Sequence, residues 1–171
     1  ILHRNERIRL RLSTVKNRLE KTGVRWAVFA GAAAHCYGSK RKVSDIDVLV
    51  DGVDLEKAKE VLTNVEGVDV VADLKMNVNG ETCLFFMDGE MDERIQWKRL
   101  LNVEIPVVPV EDNIIFKAIL QRLQAQGKHD IEDIKHMVAS EKIDSEYLEK
   151  RIRKYRAEKR VRRLLKRLGI L

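Results

Sequence analysis

Two aspartates one residue apart, in the run Val43-Ser-Asp-Ile-Asp-Val-Leu-Val50, are the strongest chemical signal in this 171-residue chain. The run is rich in β-branched and apolar residues, which suits a strand, and in a strand residues i and i+2 face the same way. Asp45 and Asp47 therefore present two carboxylates side by side, while Ile46 and Val48 face the opposite way. Like charges this close repel unless a cation neutralises them. A hard divalent ion such as Mg²⁺ uses this arrangement, taking one or two carboxylates together with substrate phosphates. Fourteen residues upstream of Asp45 stands Gly31, where the apolar run Trp26-Ala-Val-Phe-Ala30 gives way to the small residues Ala32, Ala33 and Ala34. A strand that ends in glycine and opens into a helix lets backbone N–H groups come close to a phosphate.

These residues need a scaffold, and periodicity supplies its outline. Ile8, Leu12, Val15 and Leu19 recur at helical spacing and predict an N-terminal helix stopped by Gly23. Residues 26–30 read as a buried strand, 32–37 as a short helix closed by Gly38, and 43–50 as a second strand ended by Asp51-Gly52. Asp54 is placed to cap a helix with Leu55, Ala58, Val61 and Leu62 on one face. Residues 68–78 and 81–88 read as β runs joined by Asn79-Gly80, a strong hairpin signal. Residues 103–110 contain Pro106 and Pro109, which predicts an edge strand or a loop. Helical spacing then returns from Ile114 to Gly127, again through Ile131, Ile134 and Met137, and in a long basic helix that Asp144 or Ser145 can cap. The order predicts an α/β (α+β) class: a mixed sheet flanked by helices, with a helical C-terminal extension. The corresponding divisions are a helix over 1–25, a core over 26–110, a helical region over 111–149, and a basic amphipathic helix over 150–171.

Charge is distributed unevenly. The chain holds 33 Lys/Arg and 27 Asp/Glu, a net charge of +6. Residues 150–167 carry eleven basic residues against Glu158 alone, and residues 1–25 carry eight against two, which leaves a middle with 14 basic and 24 acidic residues. An acidic body sits between two basic ends. The stripe Leu148, Ile152, Tyr155, Val161, Leu164, Leu165 and Leu168 lets the C-terminal helix dock, while its other faces offer cations to RNA, to an acidic protein, or to the body itself. No apolar stretch reaches the ~18 residues of a membrane span, and no apolar run follows the first basic residues as it would in a signal peptide. Cys36 and Cys83 are too few for a disulfide framework or a four-ligand zinc site, so a reduced, cytoplasmic setting is expected.

The two-part pattern resembles the nucleotidyltransferase superfamily that includes DNA polymerase β, especially its minimal and abortive-infection antitoxin-like branches. Their signature is an apolar residue, Gly, then Gly or Ser, about ten residues, then acid-apolar-acid-apolar. Ala30-Gly31-Ala32 and Asp45-Ile46-Asp47-Val48 occupy these positions, and Lys117 with Gly127-Lys-His-Asp-Ile-Glu-Asp133 resembles the region that follows the core. Ala32 departs from the pattern and removes a hydroxyl, although its amide remains. The resemblance implies transfer of a nucleoside monophosphate from an NTP to an acceptor hydroxyl, with Mg²⁺ or Mn²⁺ on Asp45 and Asp47. It implies nucleotide binding by Gly31, Ala32 and Ser44, with Lys40, Arg41, Lys42 and Lys117 as candidate phosphate partners. A third carboxylate should activate the acceptor. Asp88 is the first choice, Asp69 the alternative, and Asp92 and Glu93 fit a turn better. If that carboxylate is missing, the alternative is a catalytically weak regulatory or antitoxin-like protein that binds a partner or nucleic acid.

Overall fold

The computed structural model describes residues 3–123 and 126–171. Its centre is a five-stranded mixed sheet with the strand order β3-β2-β1-β7-β6, where β1 is Trp26–Phe29, β2 Ile46–Val50, β3 Val68–Val71, β6 Gln96–Leu100 and β7 Val103–Val107. Strand β1 runs antiparallel to β2 and parallel to β7, and β2 runs parallel to β3. A separate hairpin pairs β4 (Leu74–Val78) with β5 (Glu81–Phe85) across Asn79-Gly80, both with positive φ, as a tight primed turn requires.

Helix α1 (Arg4–Glu20) turns Ile8, Leu12, Val15 and Leu19 inward and packs against β7 and α3 (Leu55–Val61). Helix α2 (Ala30–Cys36) lies against β1 and β2 and carries α5 (Val110–Leu120) and α6 (Asp130–Ser140). Helix α5 is buried from Val110 through Ile119 because α2, α6 and the C-terminal helices α7 (Ser145–Lys154) and α8 (Glu158–Arg167) surround it. Phe29, Phe85, Phe116 and Tyr155 stack with ring centroids 5.0–5.4 Å apart and join β1, β5, α5 and the end of α7. Each such ring pair contributes about 1 kcal/mol beyond its buried area. Among the described residues no helix is long and apolar enough to cross a membrane.

Four expectations change. Residues 103–107 form neither an edge nor a loop: β7 pairs on both sides, and its parallel pairing with β1 is short enough that Pro106 faces only Trp97 of β6. The edge on this side is β6, a strand with no alternating pattern to announce it, and the opposite edge is β3. The run 68–78 divides at Asp73 (φ 47), so β3 joins the main sheet and β4 the hairpin. The helix expected to reach Gly127 ends at Leu120, where Gln121 turns left-handed at φ 44; residues 124 and 125 lie outside the described residues, as do 1 and 2. The basic tail is two helices, broken at Arg156 (φ 53), and its stripe of apolar residues is part of the core rather than an appended face.

Candidate functional site

The end of β1 is shaped by one strained residue. Ala30 has φ 62, a left-handed conformation that costs a residue with a Cβ about 1–2 kcal/mol. Asn113 of α5, fully buried, holds it there. The Ala30 amide donates to Asn113 Oδ1 at 2.7 Å, and Asn113 Nδ2 donates to the Ala30 carbonyl at 3.1 Å. The bend places Gly31 and Ala32 in the first turn of α2, where amides have no partner inside the helix. Gly31 has ordinary backbone angles, and a Cβ built on it meets nothing within 4 Å. Its side therefore faces open space, and that space is a cleft of about 180 Å³.

One wall of the cleft is anionic. Asp47 is the second residue of β2 and pairs in register with Asp69 on the parallel strand β3, so the two share a sheet face. Asp45 joins that face two residues earlier. Burial of Asp47, with the Asp69 and Asp45 carboxylates beside it, pushes its pKa up to about 6, against the opposing pull of Lys117 and Arg122. Among the described residues no three His, Cys, Asp or Glu side chains close on a single point. The aspartates thus form an open row along one end of two strands.

The other wall is cationic. Lys117 Nζ sits between Asp130 Oδ1 at 3.1 Å and Asp133 Oδ2 at 3.0 Å. Arg122 Nε bonds Asp130 at 2.9 Å, and Arg41 grips Asp133 through Nε at 2.9 Å and Nη2 at 2.8 Å. Ser39 also donates to Asp133, at 2.8 Å. Burial alone would raise the pKa of both carboxyls, but these bonds and the Lys117 charge hold both below the ordinary carboxylate range. Two buried anions thus fix three cations, which leaves positive charge facing the cleft, with Lys42 and Lys128 on its lining.

Of the residues named from sequence, Gly31, Ala32, Arg41, Lys42, Ser44, Asp45, Asp47 and Lys117 all line this cleft. Lys40 is exposed and stands outside the lining, next to Arg41, which lines it. Asp88 is engaged elsewhere. Its Oδ1 caps the single-turn helix α4 (Gly89–Asp92) by accepting from Met91 N at 2.9 Å, and its carboxylate binds Arg151 at 2.8 Å and Lys154 at 2.7 Å. Burial works the other way, but these partners hold its pKa low. The first choice for the third carboxylate thus becomes a structural ion pair, while the alternative, Asp69, stands in register beside Asp47 on β3, just outside the residues that line the cleft. Asn113 and Arg122 carried no local signal, and Lys128, Asp130 and Asp133 were visible only within the run that resembles the family's region after the core, because their roles depend on which elements pack together. The Asp130-x-x-Asp133 spacing on one helix face was the visible hint.

No protein-family model and no curated protein matches the sequence. Solved structures do. A Thermotoga maritima protein assigned as a nucleotidyltransferase superposes with a TM-score of 0.55 at 16% identity over 74% of this chain and 91% of its own. The antibiotic-resistance factor ANT(2'')-Ia gives 0.60 at 10% identity over 87% and 91%, and the lincosamide antibiotic adenylyltransferase LnuA gives 0.52 at 14% over 77% and 96%. At these identities the likeness is one of architecture. The chain has the nucleotidyltransferase fold.

Proposed function

We propose that this protein is a Mg²⁺-dependent nucleotidyltransferase that moves a nucleoside monophosphate from an NTP to an acceptor hydroxyl. The observation that carries the reading is the register of Asp47 with Asp69, with Asp45 on the same face, opposite the cationic wall and beside the open flank of Gly31. A triphosphate needs donors and positive charge on one side and room for its oxygens; the wall and the missing Cβ supply both. The donor set also fits the ion. The two carboxylates of Asp45 and Asp47 are hard oxygen ligands that leave coordination positions for phosphate. Asp45 and Asp47 would hold Mg²⁺, which supplies Lewis-acid stabilisation of the developing charge when bound.

The chain's own residues do the rest. The Gly31 and Ala32 amides donate to phosphate oxygens. Lys117, Arg122 and Arg41, held by Asp130 and Asp133, neutralise the β- and γ-phosphates without having to reorganise. Asp69 accepts the proton of the acceptor hydroxyl as its oxygen bonds to the α-phosphorus. The bond from that phosphorus to the β-bridging oxygen breaks, and its electron pair leaves with pyrophosphate. The regulatory, antitoxin-like alternative rests on Ala32, on the uncertain third carboxylate and on the basic tail; the register of Asp69 with Asp47 and the retained Ala32 amide favour the transferase reading over it.

The test is incubation with each labelled NTP, Mg²⁺, and total RNA, protein extract or small hydroxylated acceptors. Mg²⁺-dependent label transfer that Asp47→Asn abolishes is the expected result. Tight NTP binding with no transfer to any acceptor would return the regulatory reading.

A further inference from the structure

Outside the cleft, α8 carries a cluster of unpaired charge among the described residues. Its apolar face, Val161, Leu164 and Leu165, is buried in the core. Lys159, Arg163 and Arg167 recur every four residues on the outward side, one cation per ~6 Å of helix. Together with Arg160, Gln121 and Glu81 they line a hollow of about 410 Å³ where α8 meets the end of α5.

The partners of these cations separate α8 from α7. On α7 the charge is spent on the protein's own body: Lys150 pairs with Glu90, Lys154 with Asp88, and Arg151 with Asp88 and Asp112. On α8, Arg162 pairs with Glu149 of α7, but Lys159, Arg163 and Arg167, which line the hollow, are exposed and have no carboxylate partner among the described residues. Arg160 donates to the carbonyls of Ile119 at 2.8 Å and Leu120 at 3.4 Å, which fixes the guanidinium while leaving its charge uncompensated. Glu81 is the single acid in the hollow. Arg153 of α7 is also exposed with no carboxylate partner among the described residues, but it lies outside the hollow, where the unpaired cations of α8 gather.

We propose that the α8 hollow binds the phosphodiester backbone of a single-stranded nucleic acid. Repeated phosphates match repeated cations along one helix face, and Arg offers each phosphate a two-pronged donor. Gln121 lines the hollow and Arg122, the next residue, lines the cleft, so one chain turn carries both. A linear polyanion can occupy both, whereas a folded acidic protein can insert only side chains into a space this size. No aromatic side chain lines the hollow, so bases have no stacking platform, and binding is indifferent to sequence and to the 2′-hydroxyl.

The experiment measures anisotropy of labelled RNA and DNA strands of about 20 nucleotides, of matched sequence, without NTP or Mg²⁺, so its outcome is independent of the transfer reaction. Wild type should bind both alike, with affinity falling steeply as salt rises. Lys159→Gln/Arg163→Gln/Arg167→Gln should lose about tenfold or more at about 50 mM salt and reduce the salt slope by about 2, the counterions three single-strand phosphate contacts release. Arg163→Lys/Arg167→Lys keeps the charge and should keep most of the affinity, with unchanged melting in all variants as the folding check. Unaltered affinity and slope in the Gln variant would overturn the proposal. So would α8-dependent binding of polyglutamate by a protein that ignores both nucleic acids.

Discussion

Asp47 shows how one residue can be costly to the fold and necessary to the site. Its pKa of about 6 against an ordinary 3.8 means that the folded state holds the proton more tightly than the unfolded chain does. For a carboxyl shifted upward, stability is lost as pH rises between those two values, since the folded protein must then ionise a buried, repelled group. Asp45→Asn/Asp47→Asn should therefore melt higher than wild type at pH 7.5, by about 1–3 kcal/mol, and the gain should vanish near pH 4. The same variant should lose Mg²⁺-dependent NTP binding by calorimetry; unchanged affinity would remove the pair from the site. Asp69 and Asp88 make a second contrast. Asp69→Asn should lower transfer by about 10²-fold or more while changing NTP affinity little, the mark of a lost proton acceptor. Asp88→Asn removes a cap and an ion-pair partner, so it should lower the melting temperature and leave the turnover of folded protein unchanged. Asn113 offers a third test. Asn113→Ala releases Ala30 from its left-handed angle and orphans two buried backbone groups, so NTP affinity and stability should fall together, the latter by about 2–4 kcal/mol. A variant that binds NTP normally would show that Ala30 holds its conformation unaided.

At the scale of elements, α7 is fixed by Arg151 as well as by its apolar stripe, whereas α8 is held by its apolar residues. The Arg151 side chain is fully buried and bonds Asp112 at 2.8 Å, Asp88 at 2.8 Å and the Tyr155 hydroxyl. Arg151→Met would leave the Asp112 carboxylate uncompensated in the core, at a cost of about 3–5 kcal/mol, and Asp112→Leu on top of it should recover much of the loss by denaturant titration. A single variant as stable as wild type would show that the pair is dispensable. Truncation at residue 150 is accordingly not benign: it removes Arg151 together with Ile152, Tyr155, Val161, Leu164 and Leu165, all core residues. Sequence spacing revealed the stripe and the Asp144 cap, which accepts from Tyr147 N at 3.1 Å. It could not reveal Arg151, because a buried arginine on a basic helix looks the same as its ten solvated neighbours. The hairpin at Asn79-Gly80, strands β1 and β2 and the inward face of α1 were legible because each obeys a local period or turn rule. Strand β6 and the left-handed breaks at Asp73, Gln121 and Arg156 were not, since tertiary pairing overrides propensity there.

Across the whole molecule, the cleft joins two halves of the chain that sequence distance keeps apart. The anionic row comes from β2 and β3, between residues 45 and 69, whereas the cations Lys117 and Arg122 come from α5 and its C-terminal loop and are fixed by α6. Half of the site was therefore visible as a motif, while the other half existed only as a packing relation. A ligand that neutralises both walls must tie the sheet to the α5–α6 layer and stabilise the fold as one unit. Mg²⁺ with NTP at about 100 times its dissociation constant adds about 2.7 kcal/mol, which for a chain of 171 residues is about 5–10 °C in melting temperature. Mg²⁺ alone meets the aspartates without the cationic wall, and NTP with EDTA meets the cations while facing three carboxylates, so each should give only a small part of the shift. Differential scanning fluorimetry at fixed ionic strength separates the cases. Equal shifts with and without EDTA would mean that the triphosphate binds through the cations alone. In that event the aspartate row, however well placed by the register of β2 and β3, would have no part in holding the nucleotide.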